Sequence, residues 1–393
     1  MATQTVRADI TVDEFKTDQV LTIVAGHFIH DTYSAFVAPL LPLIIERLSL
    51  TLTMAGSLTA LLQLPGLLNP FIGYLADKVS LRYFVIFAPA ITATLISAIG
   101  LAPNYYILAI IMLLTGVSVA AFHAPAPAMI GRISGFQVGK GMSFFMAGGE
   151  LARTVGPLIA VWGVSLWGLN GIYRLMFVGW ASSLLLYWRL HEVSGRSEKS
   201  GSLRSVASKL LTFFLPLSVI VFLRMFLSVS LTTYLPTYLS LEGYSISAAG
   251  TYLAVLEFAG VGGALLSGTI SDRLGRRRVL FFAFAASSLL TLLFLQASGT
   301  WLIPLLLSVG FTALSTGPLF LALVQDQLPE NRAVGNGLYL AISFVLRSLA
   351  MLMVGGGGDL WGLDTAFYWS AMISLLAIPL ILLLPQTTNG SCS

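Results

Sequence analysis

The sequence holds a single cysteine in 393 residues, Cys392 beside the C-terminus. No disulfide can form within the chain, and redox chemistry is not expected. Charge is nearly as scarce: Asp, Glu, Lys and Arg make up 10% of residues, against roughly 25% in an average soluble domain. A chain with 56% hydrophobic residues and a mean hydropathy of +0.88 has too little polar surface to cover a water-soluble fold, so lipid must be its solvent. Intrinsic disorder, a disulfide scaffold and a soluble enzyme are excluded. No glycine-rich loop ends in the lysine that would cradle a nucleotide's phosphates, so ATP is not the energy source. The run Gly355–Gly358 lacks that lysine and reads as a hinge or turn near the end of a span. The stretch before Asp18 lacks the apolar core and cleavage site of a signal peptide, so the first span is expected to be retained.

What is present is apolar runs. A spanning helix needs about 20 such residues, and segments of that kind lie at 19–45, 53–76, 83–101, 104–130, 141–165, 171–190, 210–239, 247–271, 278–297, 300–325, 334–357 and 364–384. Of the 21 Lys and Arg residues, sixteen fall in loops on the side shared by both termini. Only Arg47 and Arg174 fall on the other side. The positive-inside bias therefore places both termini in the cytoplasm. It also explains the net charge of +4 as a topology signal, without a nucleic-acid partner. The longest polar interruption divides the chain into a tail at 1–18, six spans over 19–190, a flexible linker at 191–209, six spans over 210–384 and a tail at 385–393.

The two halves repeat one another. Gly73-Tyr-Leu-Ala-Asp77-Lys-Val-Ser-Leu-Arg82 follows span two, and Gly268-Thr-Ile-Ser-Asp272-Arg273-Leu-Gly-Arg276 follows span eight, 195 residues later. Gly139-Lys-Gly141 matches Gly335-Asn-Gly337 at nearly the same offset. Two motifs kept at one spacing argue for a duplicated six-helix unit. In each loop glycine permits close helix approach, the carboxylate can face a helix N-terminus, and the basic residues hold the loop in the cytoplasm. Both loops are expected to act as conformational latches.

These loops resemble the signature of the major facilitator superfamily, with Ser80 departing from a usual glycine and Gly275 fitting. Three further stretches look like the fosmidomycin-resistance-type exporters within it: Gly26-His27-Phe-Ile-His30-Asp31-Thr-Tyr33, Ala121-Phe-His123-Ala-Pro125, and Gly148-Gly149-Glu150-Leu-Ala-Arg153-Thr-Val-Gly156-Pro157. Glu150 and Arg153 depart from the mainly neutral residues expected there. The resemblance implies an all-α integral membrane fold of twelve helices in two pseudo-symmetric six-helix bundles around a central cavity. Spans one, four, seven and ten would line the cavity, and two, five, eight and eleven the seam. It also implies a multi-pass, monomeric carrier of the inner membrane that moves a small molecule and protons. Gly156-Pro157 resembles the helix-five pattern of drug–proton antiporters, a hinge position. Pro39, Pro42, Pro125, Pro127, Pro236 and Pro318 mark kinks in the cavity-lining spans.

Ionisable residues inside a membrane are costly, so each is a functional candidate. His27, His30 and Asp31 stand at i, i+3, i+4 and share a helix face expected to point into the cavity. With Glu257 they are the proton-coupling candidates. Arg224, His123, Arg153, Arg347, Glu150, Tyr33 and Tyr234 are the substrate-binding candidates. Arg224 is either an anchor for an anion or the counter-ion of Asp31, and Glu150 and Arg153 can pair along their own helix. Two histidines and a carboxylate also suit a metal, which would need His123 as a further ligand; no metal or cofactor is assigned. The reading that follows is a proton-coupled exporter of a drug-like or anionic molecule. The alternatives are a proton symporter importing an organic anion and, from another class, an intramembrane metal enzyme.

Overall fold

The computed structural model describes residues 15–69, 71–72, 75, 79–191, 193, 209–328 and 332–384, and these form helices joined by short turns, with no strand among them. Gly73, Asp77, the interior of the linker and residues 329–331 lie outside the described residues.

Span one is α1 (Thr17–Ser34) and α2 (Val37–Leu48), and span two begins with α3 (Leu52–Gln63). Span three is α4 (Arg82–Ser97), and span four is α5 (Tyr105–His123) with α6 (Ala126–Ile133). Spans five and six are α7 (Val138–Gly171) and α8 (Met176–Leu190). In the second half, span seven is α9 (Leu215–Val229) with α10 (Leu235–Leu241), span eight α11 (Ile246–Leu274) and span nine α12 (Arg276–Phe294). Span ten is α13 (Leu302–Leu314) with α14 (Thr316–Gln327), span eleven α15 (Arg332–Trp361), and span twelve α16 (Leu363–Leu375) with α17 (Ala377–Leu383).

Spans one, four, seven and ten, the spans expected to line the cavity, are each broken near their prolines. Proline offers no N–H, so the carbonyl four residues earlier loses its helical partner. Pro39 frees Ala35 at the α1–α2 break, Pro125 and Pro127 free Ala121 and His123 at the α5–α6 break, and Pro318 frees Leu314 where α13 ends. Pro236 frees Thr232 inside the wide π turn Ser230–Tyr234 that separates α9 from α10. By contrast α7 runs helically through Gly156 and Pro157, and its non-helical residue is Gly168, at φ 68°. Gly156 serves close approach instead: a Cβ there would lie 2.6 Å from Ala35 Cβ and 2.8 Å from Thr32 O on span one.

The halves meet along α3 against α15 and along α7 against α11. The glycine run is neither hinge nor turn, because α15 continues through it to Trp361. Gly355 and Gly358 form the face on which α3 lies; a Cβ on Gly355 would stand 2.5 Å from Leu52 O. At the same end of the bundle, Asp359 of α15 caps the first turn of α3. Its oxygens accept from the backbone N–H of Leu52 (2.6 Å) and Thr53 (2.8 Å) and from the Thr53 hydroxyl (2.6 Å). Thr51 Oγ1 takes the next N–H, that of Met54.

A helix of one half is thus capped by a carboxylate of the other. Asp359→Ala is expected to cost about 1–2 kcal/mol of this closed end, moving the ratio of closed to open by roughly 5- to 30-fold. Distances between spin labels on the α2–α3 and α15–α16 turns would lengthen; an unchanged distribution would remove the cap from the closing contacts.

Candidate functional site

Three side chains converge near the middle of the first half. His27 Nε2 lies 3.1 Å from Asp31 Oδ2, one helical turn along α1. His123, the last residue of α5, places its Nε2 3.3 Å from Asp31 Oδ1 and 3.3 Å from His27 Nε2.

The protons can be placed from the other ring nitrogens. His27 Nδ1 is 2.8 Å from the Phe145 carbonyl, and His123 Nδ1 is 3.0 Å from the Val119 carbonyl. A carbonyl only accepts, so both Nδ1 atoms carry hydrogen. Each neutral ring therefore aims an Nε2 lone pair at Asp31 and at the other ring. At least one proton must lie among these contacts, on an Nε2 or on the carboxyl, to make them attractive. The cluster is a compact proton holder. Asp31 and His123 retain side-chain exposures of 19% and 31%, so the proton can be reached, while His27 is buried under Phe145 at a ring distance of 3.9 Å.

His30 does not join the cluster. It is fully buried and stacks on Phe122 with ring centroids 4.5 Å apart, facing into the bundle. The expectation that His27, His30 and Asp31 point together into the cavity is corrected: three positions along a helix subtend enough arc for His30 to turn inward. Tyr33 and Tyr234 are corrected as well, since neither lines a cavity. The Tyr33 hydroxyl donates to the Leu175 carbonyl, and Tyr33 is buried. The Tyr234 hydroxyl lies 3.0 Å from both the Leu52 and Met351 carbonyls, joining the halves beside the Asp359 cap.

Gly149 of α7 faces the cluster. A Cβ there would stand 2.8 Å from His27 Cε1 and 3.3 Å from Asp31 Oδ2. Overpacking of this kind costs about 1–3 kcal/mol. Gly149→Ala is expected to slow pH-driven transport about tenfold or more, with little change in the amount of folded protein recovered from the membrane. Wild-type rates in that variant would show that the cluster tolerates displacement.

A second group lies across the seam. Arg153 of α7 pairs with Glu150 on its own helix and reaches Glu257 of α11, in the other half, with Nε 3.5 Å from Oε2. In the second half, Arg347 donates to Thr232 Oγ1 (2.8 Å) and to Ser228 Oγ (3.5 Å). Arg224 stands one turn before Ser228 on α9. It makes a 3.4 Å contact to the Ala313 carbonyl, and its Cζ lies 5.9 Å over the Phe320 ring. The Nε atoms of both Arg224 and Arg347 are buried without a partner. Among the described residues neither guanidinium has a carboxylate within 4.0 Å, so Arg224 is not the counter-ion of Asp31 in this structure.

Of the loop residues, Arg82 lies over the Tyr83 ring at 5.1 Å, Arg273 is exposed, and nothing stands within 4 Å of a Cβ on Gly268. Asp272 sits beside the start of α12, whose first residue is Arg276. It pairs with Arg276 (3.1 Å) across the Gly275 turn, where φ is 88°, and Arg276 Nε reaches Asp326 of α14 at 2.5 Å. Asp326 and Asp359 were not anticipated from the sequence. Each sits near the C-terminal end of its own helix, where the dipole disfavours a carboxylate. That misplacement is the signal that it serves another element.

Twelve spans in two similar halves, with ionisable groups held at mid-span, define a secondary transporter. The Major Facilitator Superfamily model matches residues 23–351, and the chain belongs to that family, a family of transporters and not of enzymes. It is 24% identical over 373 residues to the fosmidomycin resistance protein of Escherichia coli, covering 93% of this chain and 92% of that one. It is 22% identical over 377 residues to an uncharacterized MFS-type transporter of Bacillus subtilis. Among solved structures, a bacterial homolog of the human lysosomal transporter Spinster, inward-facing and occupied, superposes with a TM-score of 0.79 at 15% identity, covering 94% of this chain and 97% of that one. A D-xylose–proton symporter superposes at 0.71 and 16% identity, covering 94% and 98%.

Proposed function

We propose that the chain is a proton-driven exporter of an organic anion, working by alternating access in the inner membrane with both termini in the cytoplasm. One observation carries the reading: the halves divide the chemistry. The first half gathers His27, Asp31 and His123 at distances that let them share a proton. The second holds two guanidiniums, Arg224 and Arg347, with no carboxylate in ion-pair contact among the described residues. A buried guanidinium stays charged at any physiological pH, and its planar fork suits a carboxylate or phosphonate. Left unmatched in a membrane interior it is costly, so the pair favours an anion entering between the halves. Export rests on the similarity to a resistance protein. The same groups would serve import of an anion with a proton, and a D-xylose–proton symporter is among the similar structures.

The test is transport by purified protein in liposomes under an imposed pH gradient, with a panel of carboxylates and phosphonates. Antiport predicts accumulation against the proton flow and its collapse with an uncoupler. Accumulation in the direction of proton flow would establish the symporter, and accumulation indifferent to the uncoupler would remove proton coupling.

A further inference from the structure

Glu257 has no place in that division. It is a carboxylate in the middle of α11, in the guanidinium half, with only 8% of its side chain exposed. It also reaches across the seam, to Arg153 of the first half. Arg347 of α15 bears on it electrostatically without an ion pair within 4.0 Å among the described residues. The other helices packed on α11 bring little charge to it. α13 has no charged residue, Tyr238 of α10 is stacked on Phe367 at 4.9 Å, and the charges of α2, α12 and α14 sit at helix ends, turns away. The groups facing Glu257 are therefore Glu150 and Arg153 from α7 and Arg347 from α15.

The charge count at the seam is informative. Arg153, Arg224 and Arg347 stand against Glu150 and Glu257, an excess of one positive charge. Four of these five groups would be matched if Glu257 satisfied a guanidinium fully. It does not: its contact to Arg153 is long, at 3.5 Å, and Arg347 keeps a buried Nε without a partner. The carboxylate is held in the field of two guanidiniums and saturates neither, which is the arrangement of a ligand that can be displaced.

We propose that Glu257 is an internal stand-in for the substrate's anionic group and thereby a specificity-determining residue. In the empty carrier it contacts Arg153 and faces the charge of Arg347, and it is displaced, taking up a proton, when the anion binds. The inference rests on the anion reading above and deepens it. A carboxylate pushed off its cation in a low-dielectric site keeps its charge only at a cost of several kcal/mol, so protonation accompanies displacement. Each bound anion then brings one proton to Glu257, separate from the protons on the Asp31 cluster; this proton travels with the anion, so net antiport requires the cluster to return more than one proton per cycle. Compounds are selected by whether they compete with a carboxylate for Arg153 and Arg347, which favours anions and rejects neutral or cationic compounds. Breaking the Arg153–Glu257 contact also releases α11 from α7, so occupation of the site loosens the seam between the halves.

The experiment measures anion binding and proton uptake together, with benzoate and phenylphosphonate as probes and a pH-indicator dye in weakly buffered detergent solution. Wild-type protein should take up one proton per anion bound, and its affinity should rise as pH falls from 8 to 5.5. Glu257→Gln removes the competitor: affinity at pH 7.5 should rise tenfold or more, become independent of pH, and proceed without that proton. Asp31→Asn should keep the uptake, which assigns the proton to Glu257 and not to the cluster. If Glu257→Gln fails to fold, Glu257→Asp serves, since the shorter side chain loses its reach to Arg153 and should also bind the probes more tightly. Unchanged affinity and unchanged proton uptake in a folded Glu257 variant would overturn the stand-in role and leave the anion reading standing. No binding of either probe by wild-type protein would overturn both.

Discussion

Asp31→Asn is expected to abolish pH-driven accumulation, with a loss of 100-fold or more, while substrate exchange across the same membranes continues. The expectation follows from the proton count at the cluster. With hydrogens fixed on both Nδ1 atoms by the Phe145 and Val119 carbonyls, the three groups hold between them the proton that joins Nε2 to carboxylate. An asparagine amide satisfies the same space and can donate to one Nε2, so the α1–α5 contact survives. It has no negative charge to stabilise an imidazolium and cannot itself release a proton. The cluster then carries no proton across the membrane, and the proton taken up at Glu257 only accompanies the anion and cannot drive it against its gradient in exchange for inward protons. Exchange does not need net proton movement, so it reports whether the carrier still folds and alternates. Pairing the two assays separates a coupling defect from a structural one. Wild-type accumulation by Asp31→Asn would refute the assignment of the coupling proton.

Much of this fold was legible because membranes make the sequence repetitive. Every backbone group in hydrocarbon must be satisfied within the span, so apolar runs report helices, and Pro39, Pro125, Pro127, Pro236 and Pro318 fall at the breaks in spans one, four, seven and ten, whereas Pro42 lies inside α2. The His27–Asp31 contact was legible from i, i+4 spacing. The arrival of His123 was not, since it depends on how sharply α5 ends before Ala124. Local spacing also misplaced His30, because the direction that separates cavity from bundle interior is fixed by Phe122 on another helix. The glycine run misled for a related reason. Four glycines in water would unwind, whereas in a membrane span the helix persists and their lack of side chains lets α3 close on α15. Asp359 was legible in principle, as a carboxylate at the wrong end of its helix, but its partner lies about 300 residues away in the chain.

The remaining large effect belongs to Arg224. Its guanidinium sits at mid-span on α9 with one weak backbone contact, an aromatic face below it and a buried Nε without a partner. Among the described residues no carboxylate pairs with the fork, so its charge is available to a ligand. The i, i+4, i+8 stripe Arg224, Ser228 and Thr232 continues to the hydroxyls that orient Arg347. One anion can therefore engage both guanidiniums while the hydroxyls hold the second in place. Arg224→Lys keeps the charge but loses the planar pair of donors. A hydrogen bond to a charged group contributes about 1.5–3 kcal/mol, so anion affinity should fall by roughly ten- to a hundredfold. Arg224→Ala removes the charge as well and should eliminate saturable binding of carboxylates and phosphonates. The cavity it leaves is bordered by Phe320, so neutral aromatic compounds should lose nothing and can gain room. Isothermal titration with one anionic and one neutral compound of similar size measures both arms. Equal affinity for the anion in wild type and Arg224→Ala would return Arg224 to a packing role against Phe320 and leave Arg347 and Arg153 as the guanidiniums facing the substrate.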